Sequence, residues 1–282
     1  MTQFTYNDIT FIIPIKIDFE ERIRNIILSV NYLSKIYPFK IIIKECDTEK
    51  KFEPYLNLLA NPNITYLFEK NMNDFFHRTK LLNDMIELTN TDIVCNFDCD
   101  IILEQKNIDK SLKLFNFDAD VVYPYGYGHN QKRIYCYKTF LKNKNNGSIP
   151  LPKDKNDIDE FILKFNSDGC VCQIWTSHYG HCVFFKTKSY KNGFLENELF
   201  RSYGPEDGER FIRFNKLGFK VYHLDNGDFI NHLEHPRGDD SGTKNKYFHF
   251  NQLLYNQLSK LSRDDLYNEY KKFNYVKERN LC

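Results

Sequence analysis

Residues 91–103, TDIVCNFDCDIIL, decide how the chain folds. The whole run is apolar with β-branched residues and reads as one buried strand interrupted by acids. Asp98 and Asp100 interrupt it, and Ile101–Leu103 follow. In extended chain, residues i and i+2 face the same side, so the two carboxylates converge. They do so at the carboxyl end of a central strand, where ligands sit in open α/β sheets. Like charges that close repel unless one is protonated or a cation lies between them. Mg²⁺ and Mn²⁺ favour oxygen ligands and bridge carboxylates to phosphates. An isolated Asp-x-Asp is as easily a surface turn, and the apolar strand running into it favours the site.

Working outward, TFIIPIKI at 10–17 reads as a first strand. The following segment carries apolar residues at 23, 26, 27, 30 and 33, one face of a helix, with acids near its start. FKIIIKECD at 39–47 and ITYLF at 64–68 read as strands. Residues 74–89 read as a helix burying Leu81, Leu82, Met85 and Leu88. This order predicts the parallel half of a nucleotide-binding α/β domain.

Residues 126–170 are rich in Gly, Asn, Lys and Tyr and read as loop or insertion, with a short helix at 157–165. Order returns at GHCVFFKTKSYKNGF, residues 180–194. Phe211, Ile212, Phe214 and Leu217 then fit a helix that stops near Gly218, and a strand runs through Val221. Residues 243–273 predict amphipathic helices. The expected organisation is one catalytic domain over 1–242, with 126–175 as an insertion that shapes an acceptor region, and a helical extension over 243–282 packed on it.

The 282 residues suffice for a large core, and 41% hydrophobic with 27% charged residues is ordinary globular composition. A net charge of +1 offers no field to hold nucleic acid. The 16% aromatic content suits a core and also clefts for sugar rings. Eight cysteines in so long a chain read as reduced thiols, which points to a cytoplasmic protein. No apolar run approaches the about 20 residues of a membrane span. The C-terminal KKFNYVKERN allows at most peripheral membrane contact.

Two further groups carry chemistry. Tyr203-Gly204-Pro205-Glu206-Asp207 opens a helix, where acids are stabilised by the dipole, but a carboxylate there can also take a proton from an attacking hydroxyl. Asn231–Arg237 holds His232 and His235, which are metal-ligand types or plain surface residues of a loop, and Arg237, which suits phosphate. Cys170, Cys172, His178, His181 and Cys182 compete as a zinc set, although Cys-x-Cys is tighter than usual structural spacings.

Together with FHRTKLLN at 76–83, these elements resemble the GT-A fold glycosyltransferases, most closely the β-1,4-galactosyltransferase and chondroitin-polymerase-like branch. The resemblance covers roughly residues 10–250. It implies a mixed, mostly parallel α/β sheet flanked by helices, and an inverting, metal-dependent transfer of a hexose or N-acetylhexosamine, galactose-type favoured, from a UDP-sugar to a glycan or glycolipid acceptor. Pro14, Ile15 and Lys16 match the family's donor segment, and Arg78 its UDP-contacting arginine. Glu45 and Arg22 join the expected donor set with Asp98. Asp98 and Asp100 match the metal motif with Mn²⁺ or Mg²⁺, and His232, or His235 close by, matches the metal-ligating histidine. Tyr203 falls on a Trp lining the sugar site, Glu206 on an acceptor-binding acid and Asp207 on the catalytic base, while Trp175 is expected at the acceptor site. Two departures stand out: Lys16-Ile17-Asp18 replaces Arg-x-Arg, and Gly180-His181 replaces Gly-Gly. A sugar nucleotidyltransferase fits less well, because FIIPIKIDFEERIR lacks a Gly-rich phosphate loop. A non-catalytic carbohydrate-binding protein on the same fold is the remaining alternative.

Overall fold

The computed structural model describes residues 3–139, 148–238 and 242–281. Residues 140–147 of the expected insertion lie outside the described residues. Strand β1 (Ile9–Ile15) is buried along its whole length, as expected of a strand covered on both faces. It pairs in parallel with β2 (Lys40–Asp47) on one side and β4 (Ile93–Phe97) on the other. β3 (Ile64–Lys70) extends the sheet in parallel beyond β2.

The full order is β10-β6-β9-β4-β1-β2-β3. Here β6 is Val121–Gly126, β9 is Cys182–Lys186 and β10 is Val221–Leu224. Only β9 runs against its neighbours, β4 and β6. Because β2 and β4 flank β1 on opposite sides, the chain direction switches there and opens a crevice at the carboxyl ends of β1 and β4.

Helix α1 (Glu20–Ile36) has acids in its first turn and Lys35 in its last, matching its dipole. All five of its predicted apolar positions are buried. α2 (Arg78–Ile86) is shorter than the expected 74–89, so Leu88 lies beyond its end and is exposed. α3 (Gln105–Phe117) follows the acidic motif.

The apolar run at 91–103 is not one strand. It leaves the main sheet after Phe97, turns through Asp98–Asp100, and re-enters pairing as β5 (Ile101–Ile102) in a second sheet ordered β5-β11-β7-β8. β11 is Ile230–Leu233, and it is fully buried. His232 therefore stands on a strand where a loop was expected, because the polar sequence INHL packs between β5 and β7.

The described part of the segment read as irregular insertion is also ordered. β7 (Gly128–Tyr137) and β8 (Cys170–Ser177) form a long antiparallel pair around α4 (Lys155–Asn166), the one element expected there. Their sequences hide the strands because most of β8 is exposed and β7 buries polar Asn130 and Gln131, so no apolar alternation marks them. Side chains of α1 sew this sheet to the first. Asn25 Nδ2 donates to the Leu233 carbonyl at 2.9 Å, and Arg24 Nη2 to the Glu234 carbonyl at 2.6 Å.

After α5 (Thr187–Asn192), α6 (Glu206–Leu217) ends at Gly218, whose φ of 89° is the left-handed stop a glycine supplies without steric cost. The C-terminal helices α7 (Phe248–Lys260), α8 (Arg263–Tyr270) and α9 (Asn274–Glu278) bury Leu258, Leu266, Tyr270 and Val276 against Phe194.

Phe11 lies at the centre of the main core, fully buried and edge-on to Phe39, Phe97 and Phe184 at 5.0–5.8 Å. Phe11→Ala is expected to lower unfolding free energy by about 3–5 kcal/mol in urea denaturation. A loss below about 1 kcal/mol would show that these rings do not carry the core.

Candidate active site

The crevice predicted by the strand order holds the pocket that gathers Pro14, Arg22, Arg78, Asp98, Asp100, Tyr203 and Asp207, with His232, His235 and Arg237. The acidic motif is held by its backbone on both sides. The Asp98 N–H donates to the His181 carbonyl at 2.9 Å, and the Leu233 N–H donates to the Asp100 carbonyl at 2.8 Å.

The two carboxylates have separate partners. Asp98 Oδ1 accepts from Arg78 Nη2 at 2.7 Å. Asp100 Oδ2 faces His235 Nε2 at 2.9 Å, His232 Nε2 at 3.7 Å and Arg22 Nη1 at 3.9 Å. Burial pushes both carboxyls up. For Asp98 it prevails over Arg78, whereas for Asp100 the two histidines and Arg22 outweigh it and hold the group well below the usual carboxylate range.

The histidine tautomers follow from their outer partners. His235 Nδ1 lies 2.6 Å from the Pro236 carbonyl, which can only accept, so Nδ1 carries the hydrogen. His232 Nδ1 lies 3.3 Å from Glu234 Oε1, a close polar contact without hydrogen-bond alignment that favours the same assignment. With Nδ1 so held, each ring turns Nε2 toward Asp100. A ring nitrogen and a carboxylate oxygen this close need a proton or a cation between them. Ligand atoms of Asp100, His232 and His235 lie within 4.8 Å of one another, and among the described residues this is the one such group. The mixed oxygen–nitrogen set fits a first-row divalent cation such as Mn²⁺. Cys170, Cys172, His178, His181 and Cys182 form no such group.

Across the pocket, the first turn of α6 presents Asp207, with Glu206 beside it buried behind the lining. Asp207 Oδ1 is 2.9 Å from Arg210 Nη2 and 3.6 Å from Arg78 Nη1. Neither contact is aligned as a hydrogen bond, so these are ionic contacts. Asp207 Oδ2 lies against Gly180, where an added Cβ would stand 3.2 Å away. His181 next to it has φ 73°, a left-handed conformation uncommon outside glycine, and its ring meets His232 edge-on at 5.6 Å. Burial, then His232, lowers His181 to about 3. Glu206 is 3% exposed and accepts from the Gly204 N–H. Burial and the adjacent Asp207 push it up to about 8. Buried Arg78 stays charged against desolvation because Asp98, Asp207 and Glu206 surround it. Its Nη1 has no hydrogen-bond partner, an unmet donor suited to an anion.

Four expected site residues fall elsewhere. Glu45 is fully buried and spends its carboxylate on the N–H groups of Lys51 and Phe52 and the Tyr66 hydroxyl, anchoring the chain after β2. Ile15 belongs to the core, and Lys16 pairs with Asp18 at 3.3 Å, leaving Pro14 as the pocket residue of that segment. Trp175 is exposed on β8, its ring over the Arg133 guanidinium at 4.0 Å and outside the pocket lining. Arg133 in turn lies 3.3 Å from Glu234, so Trp175 backs the chain of contacts that orients His232. Glu234 and Arg210 were not singled out from sequence. Only Arg210 left a signal, its i+3 spacing from Asp207 on a helix.

No sequence family matches the chain, and no curated protein matches it by sequence. Solved structures do match. Staphylococcus aureus TarS, residues 1–349, is 12% identical over 80% of this chain and 60% of its own, with a TM-score of 0.51. The chain has the GT-A fold. The mannosyltransferase of Pyrobaculum calidifontis in complex with GDP-Man and Mn²⁺ is 13% identical over 82% of this chain and 58% of its own, at TM-score 0.48. The catalytic domain of Drosophila β-1,4-galactosyltransferase 7 in complex with xylobiose is 13% identical over 81% and 71%, at 0.43. At these identities the likeness is one of fold.

Two outcomes follow from the geometry. Glu234→Gln weakens the hold on His232, and Mn²⁺ affinity by calorimetry is expected to fall about 10- to 100-fold. Unchanged affinity would place the metal elsewhere. A carboxyl raised from 4.5 to about 8 binds its proton more tightly in the folded state. Its contribution is complete below pH 4.5 and is lost as pH rises toward 8. Glu206→Gln cannot ionise, so its Tm relative to the parent should climb between pH 5 and pH 8.5, at values chosen from about that window. A flat difference would mean that Glu206 titrates normally.

Proposed function

We propose that the chain is a metal-dependent, inverting glycosyltransferase that uses a UDP-sugar, galactose-type favoured, and passes the sugar to a glycan or glycolipid hydroxyl. The observation that carries this reading is the pairing, across one pocket, of the Asp100–His232–His235 group with the Asp207 carboxylate. One wall can hold a cation and a diphosphate, and the other can take a proton. Arg22 and Arg237 add positive charge on the first wall, and Arg22 stands in for the arginine that Lys16-Ile17-Asp18 lacks.

Asp100, His232 and His235 would hold the divalent cation, which would supply positive charge to offset that of the departing diphosphate. Arg78 offers its free Nη1 to a phosphate oxygen while Asp98 steadies its other nitrogen. Pro14 and Tyr203 bound the donor side. Asp207 accepts the acceptor hydroxyl proton as that oxygen bonds to the anomeric carbon, and the bond from that carbon to the phosphate oxygen breaks with its electron pair leaving on UDP. One displacement inverts the centre. Glu206, protonated below about pH 8, donates to an acceptor oxygen. Fixing both partners in one pocket supplies much of the rate.

The test is UDP release from a panel of UDP-sugars with Mn²⁺, against water and simple glycosides. One sugar should be turned over, with Asp100→Ala and Asp207→Asn each slowing turnover at least about 100-fold. Retention of the anomeric configuration in the product would refute the single displacement. If no UDP-sugar is turned over and none raises the Tm with Mn²⁺, the UDP assignment is wrong.

A further inference from the structure

Arg210 lies three residues beyond Asp207 on α6 and is 2% exposed. Its Nη2 donates to the Tyr179 carbonyl at 2.8 Å and lies 2.9 Å from Asp207 Oδ1. Its Nη1 reaches both oxygens of Glu196 at 3.2 and 3.3 Å. Glu196 is 1% exposed and also accepts from Asn96 Nδ2 at 2.9 Å and the Tyr190 hydroxyl at 2.8 Å. Asn96 stands on β4, two residues before Asp98. One buried path therefore joins the strand bearing the acidic motif to the carboxylate across the pocket.

A buried arginine needs one carboxylate to offset its charge, and Glu196 meets that need. Asp207 has no such need, since its side chain is 29% exposed and water can solvate it. The contact to Asp207 is therefore surplus to folding. Its effect is geometric: Oδ1 sits in ionic contact with Arg210, and Oδ2 is left against side-chain-free Gly180 at the pocket. Arg78 also faces Asp207, at 3.6 Å, and Asp98 acts on it by charge. Arg78 is the cation an incoming diphosphate would draw away. Arg210 is locked by Glu196 and the Tyr179 carbonyl and stays.

We propose that Arg210 is the positioning residue of Asp207, holding one carboxylate oxygen so that the other meets the acceptor hydroxyl. This rests on the transferase reading. The experiment measures UDP release from the turned-over UDP-sugar with Mn²⁺ for the parent, Arg210→Lys, Glu196→Gln, Asp207→Asn and the Arg210→Lys/Asp207→Asn pair, with Tm for each. Arg210→Lys keeps the charge but cannot span Glu196, Tyr179 and Asp207 together. It should lower kcat about 30- to 100-fold while KM for the UDP-sugar stays within about threefold. Glu196→Gln loosens the far end of the guanidinium and should lower kcat about three- to tenfold in the same pattern. It carries the test alone if Arg210→Lys does not fold. In the Asp207→Asn background, Arg210→Lys should add less than about threefold, because its partner is already gone. A parental kcat in Arg210→Lys, or an equal loss with and without Asp207, would reduce Arg210 to a structural ion pair and leave the transferase reading intact. A parent protein that neither binds nor turns over any UDP-sugar would remove that reading, and this one with it.

Discussion

The structure depends on one crossing. The chain leaves the main sheet at Phe97 and enters the second at Ile101, and the acidic motif is the three-residue bridge between them. Two backbone hydrogen bonds hold the bridge, one to each sheet, at His181 and Leu233. A side chain on such a bridge cannot drift, because moving it would break a ladder on either side. The position of Asp100 relative to His232 is thereby set by β5–β11 pairing, in which His232 lies opposite Ile101. Asn25 and Arg24 of α1 reinforce this by gripping the chain just after His232.

The charge of the site is locally dense but balanced, which the near-neutral net charge conceals. Arg22, Arg78 and Arg210 are each nearly buried, and each is met by carboxylates of the pocket or its wall. Buried cations of this kind remain charged because the low-dielectric surroundings that penalise them also strengthen their pairing. Arg78 Nη1 has no hydrogen-bond partner, although the Asp207 and Glu206 carboxylates face it at 3.6 and 3.8 Å. The pocket sets Asp100, the two histidines and Arg22 on one wall and Asp207 across from them.

The helical part of the fold and its parallel strands were legible because they bury continuous or periodic apolar faces. β1, β2 and α1 fall within a residue or two of where periodicity places them, and β4 takes only the first part of the 91–103 run. The second sheet was not legible. β7, β8 and β11 draw their order from backbone pairing, and their buried positions include Asn130, Gln131, Asn231 and His232. Hydropathy reading is silent on such strands. Within the site, Asp98, Asp100, Arg78, Tyr203 and Asp207 were legible as motif residues and share one pocket. Glu45 and Trp175 were expected there on position and residue type, and packing sends both elsewhere.

The sequence by itself determined the parallel α/β half, the crevice at the end of β1 and β4, and the residue types that gather in it. Those follow from local periodicity and from the rule that a sheet opens where its strand order reverses. Only tertiary structure decided how those residues divide the work. Whether Asp98 serves a cation or an arginine depends on Arg78, twenty residues upstream in a different element. Which histidine faces Asp100 depends on a strand pairing more than one hundred residues away, and both do. The hold on Asp207 depends on Glu196 and Tyr179, brought to Arg210 by packing alone. Hydrogen bonds and ion pairs act over about 3 Å in space, and no spacing along a chain records which distant side chains will come within that reach.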